Sequence, residues 1–173
     1  MNIVLIGYRG TGKSAVGSVL AHKLGWPIYG FDPMIVQRAG RSIPQIVEEL
    51  GWEAFRDLET EVTLEYAQKD CCILDPGGGC ILRPQNVKAL KQGGVVFWLQ
   101  ASVPVIAERI QGDDQRPSLT GTNTFIDEIS QVLEERTPKY QAAADFTIDT
   151  DRLSIEEVAE RILDLFRSRS TPG

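Results

Sequence analysis

Apolar residues along the chain fall into two alternating rhythms. Short unbroken runs, Ile3 to Ile6, Pro27 to Phe31, Cys72 to Leu74, Val95 to Leu99 and Phe146 to Ile148, read as strands. Between them, apolar positions recur at helical spacing over Lys13 to Leu24, Ile43 to Leu50, Trp52 to Gln68, Pro84 to Lys91, Val103 to Ile110, Phe125 to Gln141 and Ser154 to Phe166. Strands that alternate with helices pair in parallel, because a crossover helix returns the chain to the same edge. The expected fold is therefore a doubly wound, three-layer α/β domain with a five-stranded parallel sheet. No repeat or low-complexity tract interrupts the pattern, and the tail Arg167 to Gly173 is the segment expected to be disordered. Gln111 to Thr124 is polar, with two glycines and one proline, and joins two helices. Composition alone reads it as a surface loop; in a phosphate-handling enzyme such a segment is expected to be a mobile lid.

With 173 residues, 42% of them apolar, the chain has the material for one core, so residues 1–173 are expected to form a single domain. Eighteen basic residues against 24 acidic ones leave a net charge of −6, which repels polyanions and excludes nucleic acid as a main partner. The opening run Met1 to Ile6 lacks a basic flank and turns into a glycine loop at Gly7, too short for a signal peptide or a membrane span. A cytoplasmic protein with no membrane partner is the expectation. Cys71, Cys72 and Cys80 match neither a disulfide framework nor a zinc site. Cys71 and Cys72 read as buried filler, and Cys80, after a glycine triplet, also reads as packing. The single histidine, His22, reads as a solvated helix residue.

Residues Gly7 to Ser14 spell GYRGTGKS, fitting G-x-x-x-x-G-K-S/T between a strand and a helix. In that context the loop turns backbone N–H groups, here those of Gly10, Thr11, Gly12, Lys13, Ser14 and Ala15, toward the phosphates of ATP at a helix N-terminus. Lys13 is expected to reach the β/γ oxygens and Ser14 to ligate Mg²⁺. Asp75 ends the third apolar run, as a metal-side carboxylate of this fold class does, but before Pro76 and three glycines it reads equally well as a turn residue.

The loop names no reaction by itself, since many phosphate-transfer enzymes share it. Five segments together do more: GYRGTGKS, Phe31-Asp32 followed by AGRSIPQIVEELGWEAFRDLE over Ala39 to Glu59, Gly77-Gly78-Gly79, Arg116-Pro117, and RTPKY over Arg136 to Tyr140. In these the chain resembles the shikimate kinases, from the P-loop through to Asp149-Thr150. The resemblance implies a monomeric transferase that moves the γ-phosphate of ATP to the 3-hydroxyl of shikimate in aromatic amino-acid biosynthesis. It assigns the carboxylate and ring of shikimate to Arg56, Arg136, Gly78 and Gly79, and its hydroxyls to Asp32, which orients the attacking one. Arg116 would close on the phosphates as the lid arginine, and Arg109, with the loop after Asp149, would lie on the adenine side.

One departure stands out. The family commonly has two aspartates, one residue apart, after the second strand; here Asp32 occupies the second position and Gly30 the first, where the metal-side carboxylate would be. Asp75 stands where the family often has a small uncharged residue, so the metal-side carboxylate is expected to have moved there. The alternatives are another small-molecule kinase of the gluconate type, or a kinase-like binding protein without catalysis, which Gly30 alone favours.

Overall fold

The structure, a computed structural model, describes residues 1–111 and 124–170. Strands β1 (Asn2–Ile6), β2 (Ile28–Gly30), β3 (Ile73–Asp75), β4 (Gly94–Gln100) and β5 (Phe146–Asp149) form one parallel sheet in the order β2-β3-β1-β4-β5. Between and after them run α1 (Lys13–Leu24), α2 (Phe31–Ala39), α3 (Ile43–Tyr66), α4 (Pro84–Gly93), α5 (Val103–Ile110), α6 (Phe125–Ala143) and α7 (Ile155–Ser170), with a 3₁₀ turn at Cys80–Leu82. No helix among the described residues is long and apolar enough to cross a membrane.

The inner strands are covered on both faces, and that is why they read as unbroken apolar runs. Ile3 and Leu5 pack with Val16 and Leu20 of α1 and Ile162 and Phe166 of α7. Val4 and Ile6 point the other way, into a second cluster with Phe31, Ile35, Phe55, Leu90 and Tyr140. A third, smaller cluster joins Tyr8 to α5 and α6 through Ile106, Ile110, Ile129 and Val132.

Local chemistry sets where the helices begin. Ser42 accepts from the Gln45 amide while the Gln45 side chain accepts from the Ser42 amide, closing a capping box at the head of α3. Ser154 and Glu157 make the same reciprocal pair at the head of α7. The predicted break between Leu50 and Trp52 is real: α3 leaves helical geometry at Gly51, with φ 86° and ψ 168°.

Three expectations need correction. Phe31 is not a strand residue; it opens α2, where Phe31 and Ile35, one turn apart and fully buried, face the core and Pro33 sits in the first turn, where its missing N–H costs nothing. Cys71 is exposed, at φ 54° in the turn before β3, whereas Cys72 is buried against Asn2 as expected. The helical chain also continues beyond Phe166, so Arg167 to Ser170 belong to α7 and not to a disordered tail.

Arg169 helps explain that extension. It pairs with Asp145 at 3.0 Å, and Lys91 of α4 approaches the same carboxylate at 3.6 Å. The other carboxylate oxygen accepts the Val96 amide of β4 at 2.9 Å, while the Asp145 amide donates to the Val96 carbonyl at 2.8 Å. Burial pushes this carboxyl's pKa up, but the Val96 N–H, Lys91 and Arg169 outweigh it and leave the pKa below the usual aspartate value. A depressed carboxyl pKa stabilises the fold above the unfolded value, about 3.9, and that stabilisation is lost as the pH falls through the folded value. Asp145→Ala is therefore expected to cost about 1.5–3 kcal/mol in urea unfolding at pH 7, and distinctly less near pH 3. An equal gap at both pH values would exclude a role for the ionised carboxylate.

Candidate active site

The loop after β1 enters α1 through Gly12, whose φ of 94° lies in the left-handed region that a side chain would strain. Lys13 is thus the first helical residue, and the leading amides of α1 face the cavity with no acidic side chain in the first turn to compete for them. The Thr11 hydroxyl is spent inside the loop, donating to the Tyr8 carbonyl at 2.8 Å. Lys13 Nζ lies folded over the loop, donating to the Gly7 and Tyr8 carbonyls at 2.9 and 3.2 Å.

Parallel pairing brings β2 and β3 to the same height. Gly30 is the register partner of Asp75, and the Ser14 hydroxyl donates to Asp75 Oδ2 at 2.6 Å. Ser14 and Asp75 open into a cavity of about 840 Å³ that Gly10, Gly12, Lys13 and Ala15 also line, as do Gly30, Asp32 and Gly77. Asp32 is half-buried in the first turn of α2, across this cavity from the P-loop.

Beyond Gly77 the glycine triplet forms a wall that two arginines approach. A Cβ on Gly79 would collide with the Arg56 guanidinium, so this close approach requires glycine. A Cβ on Gly78 would stand 3.5 Å from Arg136 Nη1. Arg56 packs over the rings of Trp52 and Phe55, at 5.4 and 5.2 Å, and pairs with Glu59 Oε1 at 2.8 Å. Arg136 is buried, 8% exposed, with no carboxylate at salt-bridge distance among the described residues. Tyr140, one turn further along α6, donates its hydroxyl to the Gly78 carbonyl at 2.5 Å.

One assigned arginine, Arg109, sits apart from this wall. Arg109 donates to the Gly10 carbonyl and to the Thr150 hydroxyl, each at 3.2 Å, and so ties the P-loop to the segment after β5. Arg116, with residues 112–123 of the expected lid, lies outside the described residues.

Sequence reasoning missed Glu59 as part of the site. Its carboxylate is fully buried; burial pushes its pKa up, against the pull of Arg56, Arg136 and Arg83, and Oε2 has no hydrogen-bond partner. The signal was present as an Arg56/Glu59 pair three residues apart, but the same spacing serves countless surface ion pairs. Only the burial of this face, beside Phe55 and Val62, distinguishes it. Cys80 beneath the wall is packing, as expected: its thiol is fully buried against Thr63 Oγ1 at 3.3 Å, and burial holds its pKa high, which removes it as a nucleophile.

Comparison with known proteins agrees with this geometry. Residues 9–167 match the family described as Shikimate kinase. The chain is 43% identical to the shikimate kinase of Thermodesulfovibrio yellowstonii, over 94% of its own length and 92% of the relative's. It superposes on the shikimate kinase from Acinetobacter baumannii in complex with shikimate with a TM-score of 0.93 and 34% identity, covering 99% and 95% of the two chains. For the shikimate kinase from Aquifex aeolicus the TM-score is 0.82 at 32% identity, with both chains fully covered. With its P-loop, its sheet order and its two-arginine glycine wall, this chain belongs to the shikimate kinase family.

Proposed function

We propose that this protein transfers the γ-phosphate of ATP to the 3-hydroxyl of shikimate, with the acceptor's carboxylate held between Arg56 and Arg136. The observation that carries the proposal is the charge left open at the glycine wall. Two guanidiniums, Arg56 and Arg136, stand at the wall with one buried carboxylate, Glu59, which pairs with Arg56, so a single ligand carboxylate would balance the group. A buried cation is costly without an anion, and a small acid supplies one. Asp32 lies across the cavity from the phosphate loop, where it can orient a hydroxyl of that acid and accept its proton. The α1 amides and Lys13 would hold the transferring phosphoryl group, Arg109 would face the adenine side, and Arg116 is assigned the charge that develops in transfer.

Mg²⁺ fits the donor set of this cavity. Among the described residues no cluster of three metal-ligating side chains exists, and none is needed where phosphates and waters complete the shell. The Ser14 hydroxyl and the Asp75 carboxylate meet in the cavity lining, where the first would ligate the ion and the second would grip its waters. Bound there, the ion would neutralise the β- and γ-phosphate oxygens. Gly30 sits beside Asp75 with ordinary extended geometry, φ −83° and ψ 120°, and a Cβ there would meet nothing closer than Pro33 Cδ at 3.5 Å. A carboxylate on either strand could therefore serve the same point, and in this chain Asp75 takes that part.

A coupled ADP-release assay tests the reaction: turnover is expected to require shikimate, and gluconate or a nucleoside monophosphate supporting equal turnover would overturn the assignment. Lys13→Ala is expected to abolish turnover while leaving shikimate binding without nucleotide largely intact. Arg136→Ala should instead weaken shikimate binding by about 2–5 kcal/mol in calorimetry. Unchanged affinity in that variant removes Arg136 from the site. Asp75→Ser is expected to raise the Mg²⁺ concentration for half-maximal rate by about 10–100-fold, with part of the loss recovered on adding Gly30→Asp. An unaltered Mg²⁺ dependence leaves Asp75 as a turn residue.

A further inference from the structure

Tyr140 has no part in the chemistry above, yet it sits where the two halves of the site touch. Its ring is fully buried and stacks on Trp98 of β4, with centroids 5.7 Å apart and planes 23° from parallel. That leaves its hydroxyl one direction to face, and it donates to the Gly78 carbonyl. Burial raises the phenol's pKa to about 12, against the pull of the Arg136 guanidinium beside it, so the hydroxyl keeps its proton throughout the neutral range.

Gly78 lies between the phosphate loop and the acceptor-side arginine. A Cβ there would lie 3.3 Å from the Gly7 carbonyl oxygen, 3.4 Å from the Tyr140 hydroxyl and 3.5 Å from Arg136 Nη1. The same Gly7 carbonyl accepts from Lys13 Nζ. The chain of contacts thus runs from the phosphate-loop lysine, through Gly7 and Gly78, to the guanidinium assigned to the acceptor. Without the hydroxyl, the buried Gly78 carbonyl would lose the partner that fixes its direction, and nothing else in the described residues donates to it. Pro138 lies inside α6, between Arg136 and Tyr140, where proline disfavours a regular helix. The Tyr140 anchor acts two residues beyond that weak point and holds Arg136 against the wall.

From this we infer that Tyr140 is a positioning residue, whose bond to the Gly78 carbonyl fixes the spacing between the acceptor-side arginine and the phosphate loop. It rests on the kinase reading given above. Small errors in the alignment of reacting groups are expensive: a displacement near 1 Å can cost about 100-fold in rate. Spacing between two subsites governs the transfer step more than the grip on either ligand alone.

Tyr140→Phe isolates the effect, because it keeps the ring and its stacking and removes only the donor. Steady-state kinetics should show kcat reduced by about 10–100-fold with the KM for ATP changed by less than about 3-fold. Thermal unfolding, measured alongside, separates this from simple loss of stability, which would lower Tm and leave the turnover of the folded fraction unchanged. Wild-type kcat in a folded Tyr140→Phe protein overturns the inference. Should that variant not fold, Gly78→Ala tests the same spacing from the other side by wedging a methyl group among Gly7, Tyr140 and Arg136. Its kcat is expected to fall similarly with the KM for ATP preserved, and wild-type kcat there overturns the inference as well. Failure of the wild-type protein to phosphorylate shikimate would instead sink the kinase reading, so the two failures are distinguishable.

Discussion

The parallel pairing of β1 with β3 is the constraint on which the site depends. Ile3 lies opposite Ile73 and Val4 opposite Leu74, although 70 residues separate them in sequence. Because the strands run the same way, their carboxyl ends open into one crevice, and whatever follows each strand is delivered to the same place. The phosphate loop follows β1, while Asp75 and the glycine triplet follow β3. A hydroxyl on the first turn of α1 thereby meets a carboxylate from the neighbouring strand, and Gly78 comes to rest against the Gly7 carbonyl. β2, paired outside β3, adds Asp32 to the same edge.

The electrostatics of this crevice run against those of the whole molecule. A chain with net charge −6 concentrates positive groups at one spot, Lys13 and the α1 amides on one side and Arg56 and Arg136 on the other. Lys13 donates to two loop carbonyls, Arg56 lies over two aromatic faces and pairs with Glu59, and Arg136 lies against a wall of backbone. Cations gathered in this way suit an anionic ligand. The acidic remainder of the surface discourages long polyanions from competing for the crevice.

Features fixed by local chemistry could be read in the chain itself. GYRGTGKS needs only its flanking strand and helix to be recognised, and the split of α3 at Gly51 follows from a glycine between two helical patterns. Doubly covered strands announced a parallel sheet through their unbroken apolar runs. What escaped depended on tertiary placement. α2 has only Phe31 and Ile35 as fully buried anchors, too few for a periodicity to emerge from an apolar run that begins at Pro27. Glu59 looked like any helix-surface carboxylate until its burial was known, and Cys71 looked as buried as its neighbour until the turn at φ 54° set the two apart. Continuation of α7 past Phe166 turns on Arg169 reaching Asp145, a contact across 24 residues that no local pattern contains.

That turn at Cys71 has a practical side. Of the three thiols, Cys72 and Cys80 are sealed in the interior and only Cys71 meets solvent. β3 begins two residues after it and ends at Asp75, so the exposed sulfur lies roughly 13 Å of strand away from the cavity mouth, at the opposite edge of the sheet. A thiol-directed dye added to the unaltered protein would attach at that one position. It would report on the tumbling and association of the molecule from a place outside the lining of the cavity.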